Sequence, residues 1–219
     1  MFKMAILGVI AAVSALPIIG GAQVPVHKPE CTVWDSLYNR YLVSMNLDGI
    51  IMQIDTAETL TWFQTVGTTI NSACIGGTTF YQTTMQTVRG YDLATAGFID
   101  EWVIPGAVYL GGCTMDTSGN LYVVDIPTAY GQGPRDRIFK VRLGDGVVSE
   151  FTTTDRGLGY LPRDVVFDAE HNRLLVIGAR APVYIQAVSL TDSSVTNLVK
   201  FATDYSNGLA RDQFGNTYA

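Results

Sequence analysis

An all-β chain assembled from propeller blades is predicted by three observations. A strand-Asp-turn-strand word recurs along the chain, its copies are spaced by roughly one blade, and no window past the first 22 residues sustains helical periodicity. The word reads CTVWDSLYNRYLVS at 31–44, CTMDTSGNLYVVD at 113–125, DVVFDAEHNRLLVIG at 164–178 and GLARDQFGNTYA at 208–219. Each copy is a short apolar strand, an Asp, a polar turn with Gly or Asn, and an alternating strand. A weaker copy, ACIGGTTFYQTT at 73–84, has lost the Asp. With Asp35, Gly77, Asp116, Asp168 and Asp212 as equivalent points, the spacings are 42, 39, 52 and 44 residues. Propeller repeats run to about 40 to 50.

The chain begins with Lys3, an apolar run over 4–19, and then Gly20, Gly21 and Ala22, the pattern of a signal peptide over 1–22. A secreted mature chain is expected from Gln23, with a propeller domain over 23–219. Between the repeated hairpins lie further strand-like runs: GIIMQID and TWFQTV in the first unit, TVRGYDL and FIDEWVI in the second, RIFKVRL and VVSEFTT in the third, VYIQAVSL and SVTNLVK in the fourth. That makes about four strands per unit, as in a blade. The last residues, Gly215 to Ala219, match the start of a second strand and then stop. Four blades and part of a fifth are therefore expected, incomplete at the C-terminus.

Composition narrows the function classes. Of 219 residues, 47% are hydrophobic and 16% charged, which suits a folded domain. The formal charge is -6 and no Lys/Arg cluster stands ready to neutralise phosphates, so nucleic acid is not an expected partner. No later segment matches the apolar length of the leader, so no membrane association is expected after its cleavage. Cys31, Cys74 and Cys113 are read as small residues on inner strands, with room for one internal bridge at most. Asp116, Asp168 and Asp212 are read as turn formers through Asx hydrogen bonds. His171 reads as a solvated turn residue, and Trp34, Trp62 and Trp102 as packing between blades.

Propeller geometry places a site where inner strands begin and second strands return. The first set is Glu30, Ala73, Gly111, Arg163 with Asp164, and Asn207; the second is Ser44, Asn46, Asp125 and Gly178. These are expected to ring one mouth that receives a small-molecule ligand. The insertion 126–136 leaves from Asp125 and should overhang the mouth as a lid or wall, with Gly131 and Gly133 giving it flexibility.

Two short words, Glu30-Cys31-Thr32-Val33-Trp34-Asp35 and Ser206-Asn207-Gly208-Leu209, together with the third-unit insertion, carry a resemblance. The chain resembles the senescence marker protein / gluconolactonase (regucalcin-like) family, which implies a six-bladed, calcium-dependent propeller. The resemblance implies a divalent cation, calcium, held by Glu30 and Asn207, and hydrolysis of a lactone or related ester. Hard Ca²⁺ takes carboxylate and amide oxygens, and a bound cation polarises a carbonyl. Two alignments conflict. Counting repeats puts Asn207 in the fifth unit and Arg163 at the fourth-unit ligand position, where a permanent cation repels a metal. The local Ser-Asn-Gly-Leu word makes Asn207 that fourth-unit ligand. Two functions follow: a metal-dependent hydrolase with Asp164 as a reserve carboxylate, or a non-catalytic propeller that binds a small molecule or partner through Arg163, Asp164, Asp125 and the insertion.

Overall fold

A computed structural model describes residues 28–219, apart from 132, 134, 181, 203–205 and 213. The signal peptide expected over 1–22 lies outside the described residues. The described chain is all-β: four antiparallel sheets of four strands each, with a two-stranded start of the next repeat. The blades predicted from the repeat are present. No helix among the described residues is long and apolar enough to cross a membrane.

The chain divides into an N-terminal unit ending at Ile70 and a second unit, Asn71–Ala219. The N-terminal unit is one blade, β1 (Pro29–Asp35), β2 (Arg40–Met45), β3 (Ile50–Asp55) and β4 (Leu60–Thr65), hydrogen-bonded in that order. Its core is Val43, Met45, Met52 and Ile54, with Tyr41, Ile50 and Leu60 against them. These side chains alternate along β2 and β3, so one face of the sheet is apolar.

The second unit holds β5 (Ala73–Gly76), β6 (Thr79–Thr83), β7 (Thr87–Asp92) and β8 (Phe98–Val103), followed by β9 (Leu110–Met115), β10 (Asn120–Asp125), β11 (Arg137–Arg142) and β12 (Val147–Thr153). The next blade is β13 (Pro162–Asp168), β14 (Arg173–Gly178), β15 (Tyr184–Ser189) and β16 (Val195–Lys200), and β17 (Ala210–Arg211) with β18 (Thr217–Tyr218) open the repeat after it. Inner strands β5, β9 and β13 lie side by side in that order. Their convergence is possible because β9 carries Gly111 and Gly112: a Cβ on Gly111 would stand 2.9 Å from the Arg163 carbonyl oxygen. Second strands are the most buried, as in the sequence NLYVVD of β10, whereas the outer strands β8 and β16 are mostly exposed. A near-continuous β-branched run marks burial on both faces.

Apolar layers fill the space between these blades. Tyr81, Val88, Leu121, Val123 and Phe139 form one, and Tyr122, Val124, Ile138, Val165 and Leu174 form the next. Trp102 packs into the first layer against Tyr81, with ring centroids 5.8 Å apart. Trp34 and Trp62, read from sequence as packing between blades, are 43% and 55% exposed. Paired with Tyr41 and Met52, they lie on the apolar face of the N-terminal blade, Trp34 with its ring centroid 4.7 Å from that of Tyr41.

The hairpins show why the repeat has its Asp. Asp116 Oδ1 accepts from the Ser118 and Asn120 amides, and Oδ2 from the Asn120 amide side chain and the Tyr122 hydroxyl. Asp212 repeats this arrangement with Phe214, Asn216 and Tyr218. A left-handed residue completes each turn: Asn39, Gly77, Gly119, Asn172 and Gly215 all have positive φ. Asp168 corrects the sequence reading. Its carboxylate bonds no turn amide and instead accepts from His171 Nδ1, Arg173 Nε and Arg211 Nη1.

Candidate functional site

The mouth position is set by a β-bulge. In β13, Pro162 pairs with Gly178 and Asp164 with Ile177, which leaves Arg163 as the extra residue. In β1, Pro29 pairs with Met45 and Cys31 with Ser44, which leaves Glu30 in the corresponding place. A bulged residue has its side chain re-aimed away from the pleat, a frequent device beside functional sites. Five residues before the turn position of each repeat, the chain therefore carries Glu30, Ser72, Gly111, Arg163 and Asn207. Repeat counting, not the local Ser-Asn-Gly-Leu word, is the alignment that the strands follow.

Arg163 and Asn207 meet: the guanidinium Nε donates to Asn207 Oδ1 at 3.2 Å. Asp164, the next residue, is held by backbone. Its Oδ1 accepts from its neighbour's amide, Val165, at 2.9 Å, and its Oδ2 from the Leu209 amide at 2.8 Å. Space for this carboxyl exists because the matching residues of the flanking repeats are Gly112 and Gly208. A Cβ on Gly112 would lie 2.2 Å from Asp164 Oδ1 and 2.6 Å from its Cα. Burial among these groups pushes the Asp164 pKa up to about 6, and the two amide bonds, which act in the opposite direction, do not offset it. Part of the residue's surface still reaches solvent.

The structure thus brings Arg163, Asp164 and Asn207 together in the second unit. Glu30, exposed on its bulge, belongs to the N-terminal unit. Asp125 has a different job from the one expected. It is fully buried, its Oδ1 accepts from the Val108 and Tyr109 amides at 2.9 Å each, and its Oδ2 accepts from Arg137 Nε at 3.0 Å. Both oxygens fasten the turn that leads into β9, and full burial shuts the carboxylate off from a ligand.

Hydrogen bonds and a capped turn hold the described residues of the insertion. Pro127–Tyr130 form a single 3-10 turn, capped by Gly131 in the left-handed region at φ 65°. A Cβ on Gly133 would lie 2.9 Å from the Pro127 ring, so that glycine serves close packing. Asp136, fully buried, accepts from the amide and hydroxyl of Thr128 through one oxygen and from the Leu161 amide through the other. These bonds tie the insertion to the start of β13.

Sequence reasoning missed the polar layer beneath the mouth. Thr83 Oγ1 donates to the Ser72 and Gly111 carbonyls, and Asn71 Nδ2 to the Thr84 and Leu110 carbonyls. Gln82 and Thr83 are fully buried, and Asn71 Oδ1 is a buried acceptor with no partner among the described residues. The signal was the run Gln82-Thr83-Thr84, three consecutive polar residues at the end of a second strand.

A second cluster lies at the opposite, hairpin end of β13. Ligand atoms of Asp168, Glu170 and His171 fall within 4.8 Å of one another, which makes this an acidic group able to approach a metal ion. Its charges are already met. Burial opposes ionisation of Asp168, yet bonds from Arg173, His171 and Arg211 hold its carboxyl below the usual range. Arg211 also reaches Glu170 at 3.5 Å. Two permanent cations at the central carboxylate disfavour a third positive charge. At the start of β13, the oxygen that Asn207 would offer a cation already faces the Arg163 guanidinium. Neither set of residues in the second unit fits a resident divalent ion.

No protein-family model matches the sequence, and no curated protein matches it. Solved structures do. A chain of the nidogen/laminin complex superposes with a TM-score of 0.72 at 13% identity, covering 87% of this chain and 71% of that one. A streptogramin B lyase gives 0.69 at 14% identity, over 89% of this chain and 62% of the lyase. A gluconolactonase from Xanthomonas campestris gives 0.69 at 12% identity, over 88% and 70%. This chain thus spans between 62% and 71% of the length of these three structures. A chain of the nidogen/laminin complex, a lyase and a gluconolactonase share one architecture here, so the likeness is one of fold. The chain has the β-propeller fold that these proteins share.

Proposed function

We propose that the chain is a propeller that binds a small anionic molecule at the mouth where β13 begins, with Arg163 as the anchor and Asp164 and Asn207 as polar partners. The observation that carries this reading is the Arg163 Nε to Asn207 Oδ1 bond, which puts a fixed positive charge on a re-aimed, partly exposed side chain. A guanidinium binds a carboxylate through parallel N–H donors, and a ligand carboxylate would replace the single amide oxygen. The insertion held by Asp136 walls the same end of β13. Export through the leader over 1–22 belongs to this reading.

Gluconate, a sugar acid, is the probe. Calorimetry with a chelator present is expected to show saturable gluconate binding that weakens by about 10- to 100-fold in Arg163→Ala and only partly recovers in Arg163→Lys. Equal affinity in wild type and Arg163→Ala would overturn the proposal.

A second reading, hydrolysis of a lactone or related ester at the same mouth, is favoured by Asp164. A carboxyl with a pKa of about 6 can take a proton from water as that water attacks a carbonyl, near neutral pH. Arg163 would then face the developing oxyanion. Gluconolactone consumption that follows ionisation of a group near pH 6 and disappears in Asp164→Asn would select this reading; consumption at the uncatalysed rate would dismiss it.

A further inference from the structure

Cys74 on β5 and Cys113 on β9 stand on neighbouring inner strands with their Sγ atoms 3.0 Å apart. That is inside ordinary sulfur-sulfur contact, about 1 Å beyond a disulfide bond. Both residues lie three before the turn position of their repeat, at Gly77 and Asp116, so the repeat itself aligns them. Cys31 lies four before Asp35, in unbroken pairing with β2. Alternation along a strand therefore turns Cys31 to the other face of its sheet.

We propose that Cys74 and Cys113 form a disulfide that clips the second blade to the third when the protein meets a disulfide oxidant such as oxidised glutathione. Cys74 is partly accessible and Cys113 is 4% exposed, which sets the order of events. The Cys74 thiolate attacks one sulfur of the oxidant and expels one glutathione thiolate, leaving a mixed disulfide. The Cys113 thiolate then attacks the Cys74 sulfur and expels the second glutathione. Two electrons pass to the oxidant, and the two protons lost by the protein thiols end on the two glutathione thiols. The bond closes a loop across 39 positions and borders the apolar layer of Tyr81, Val88, Leu121 and Val123. Its stabilising effect lies mainly in restricting the unfolded chain.

The test uses the full chain, equilibrated with oxidised glutathione, alkylated in denaturant without reduction, and mapped by protease digestion and mass spectrometry. The expected result is one cross-linked peptide pair carrying Cys74 and Cys113, with Cys31 alkylated and a melting temperature about 10 °C above that of the reduced protein. The Cys113→Ala variant should stop at a glutathione adduct on Cys74. Alkylation of all three cysteines after oxidation, or a cross-link through Cys31, would overturn the proposal. A melting temperature no higher than that of the reduced form would refute the clip.

Discussion

Asp164 shows how a side chain becomes a site through what its neighbours lack. Glycine at 112 and 208 leaves room for a carboxyl, and two backbone amides hold it without supplying a charge. The consequence for pH has a definite sign. A folded pKa near 6, above the ordinary value of 3.8, means that the folded state binds the proton more tightly than the unfolded one. Stability therefore falls as pH rises between those values. The contribution of Asp164 is expected to worsen by about 2 kcal/mol from pH 4 to pH 7, a loss absent in Asp164→Asn, as measured by urea melts across that range. The neighbouring glycine is equally exposed to test. Gly112→Ala puts a methyl into Asp164 and its backbone and is expected to cost about 2 kcal/mol or more by the same measurement. The meeting of Arg163 and Asn207 was legible because repeat counting puts both at one position of adjacent repeats, with Asp164 next along the strand. The role of Gly112 was not, since a glycine in an inner strand reads alike whether it admits a neighbouring strand or a neighbouring carboxyl.

Among the elements, the hairpin is the unit that the sequence described best, and its Asp is the reason. Asp116 and Asp212 bond two amides, an Asn side chain and a Tyr hydroxyl in the same pattern, so the second copy identifies β17 and β18 as the opening of another repeat. Asp116→Ala is expected to cost about 2 to 3 kcal/mol by chemical denaturation, because it leaves the amides of that turn without their acceptor. Asp125 was harder to read. An Asp that ends a strand looks the same in sequence whether it faces a ligand or a fastener. Only the pairing of β10 with β11 sets Arg137 opposite it, across the insertion. Asp125→Ala should cost about 3 kcal/mol and leave Arg137 without its buried anion, while Arg163→Ala should leave stability nearly unchanged. That contrast, read in one melting series, separates fastening residues from ligand-facing ones. The insertion followed the same rule: its two glycines suggested mobility, whereas Gly131 caps a 3-10 turn and Asp136 fastens the end of the insertion to the start of β13.

At the scale of the molecule, periodicity carried the fold and could not carry the chemistry. A word repeated at blade spacing is enough to specify four-stranded sheets, since each blade needs its neighbours to bury its faces. The residue placed on each bulge is free to vary. Glu30 in one repeat, Arg163 in another and Asn207 in a third occupy one repeat position with three different charges, so the repeat that sets the fold leaves the charge at this position open. On the reading proposed above, Arg163 turns this mouth of the second unit toward anions. Parallel calorimetric titrations of the wild-type chain with calcium chloride and with sodium gluconate decide the matter. Saturable heat with gluconate and none with calcium is the expected result; saturable calcium binding that is lost in Asn207→Ala would contradict it.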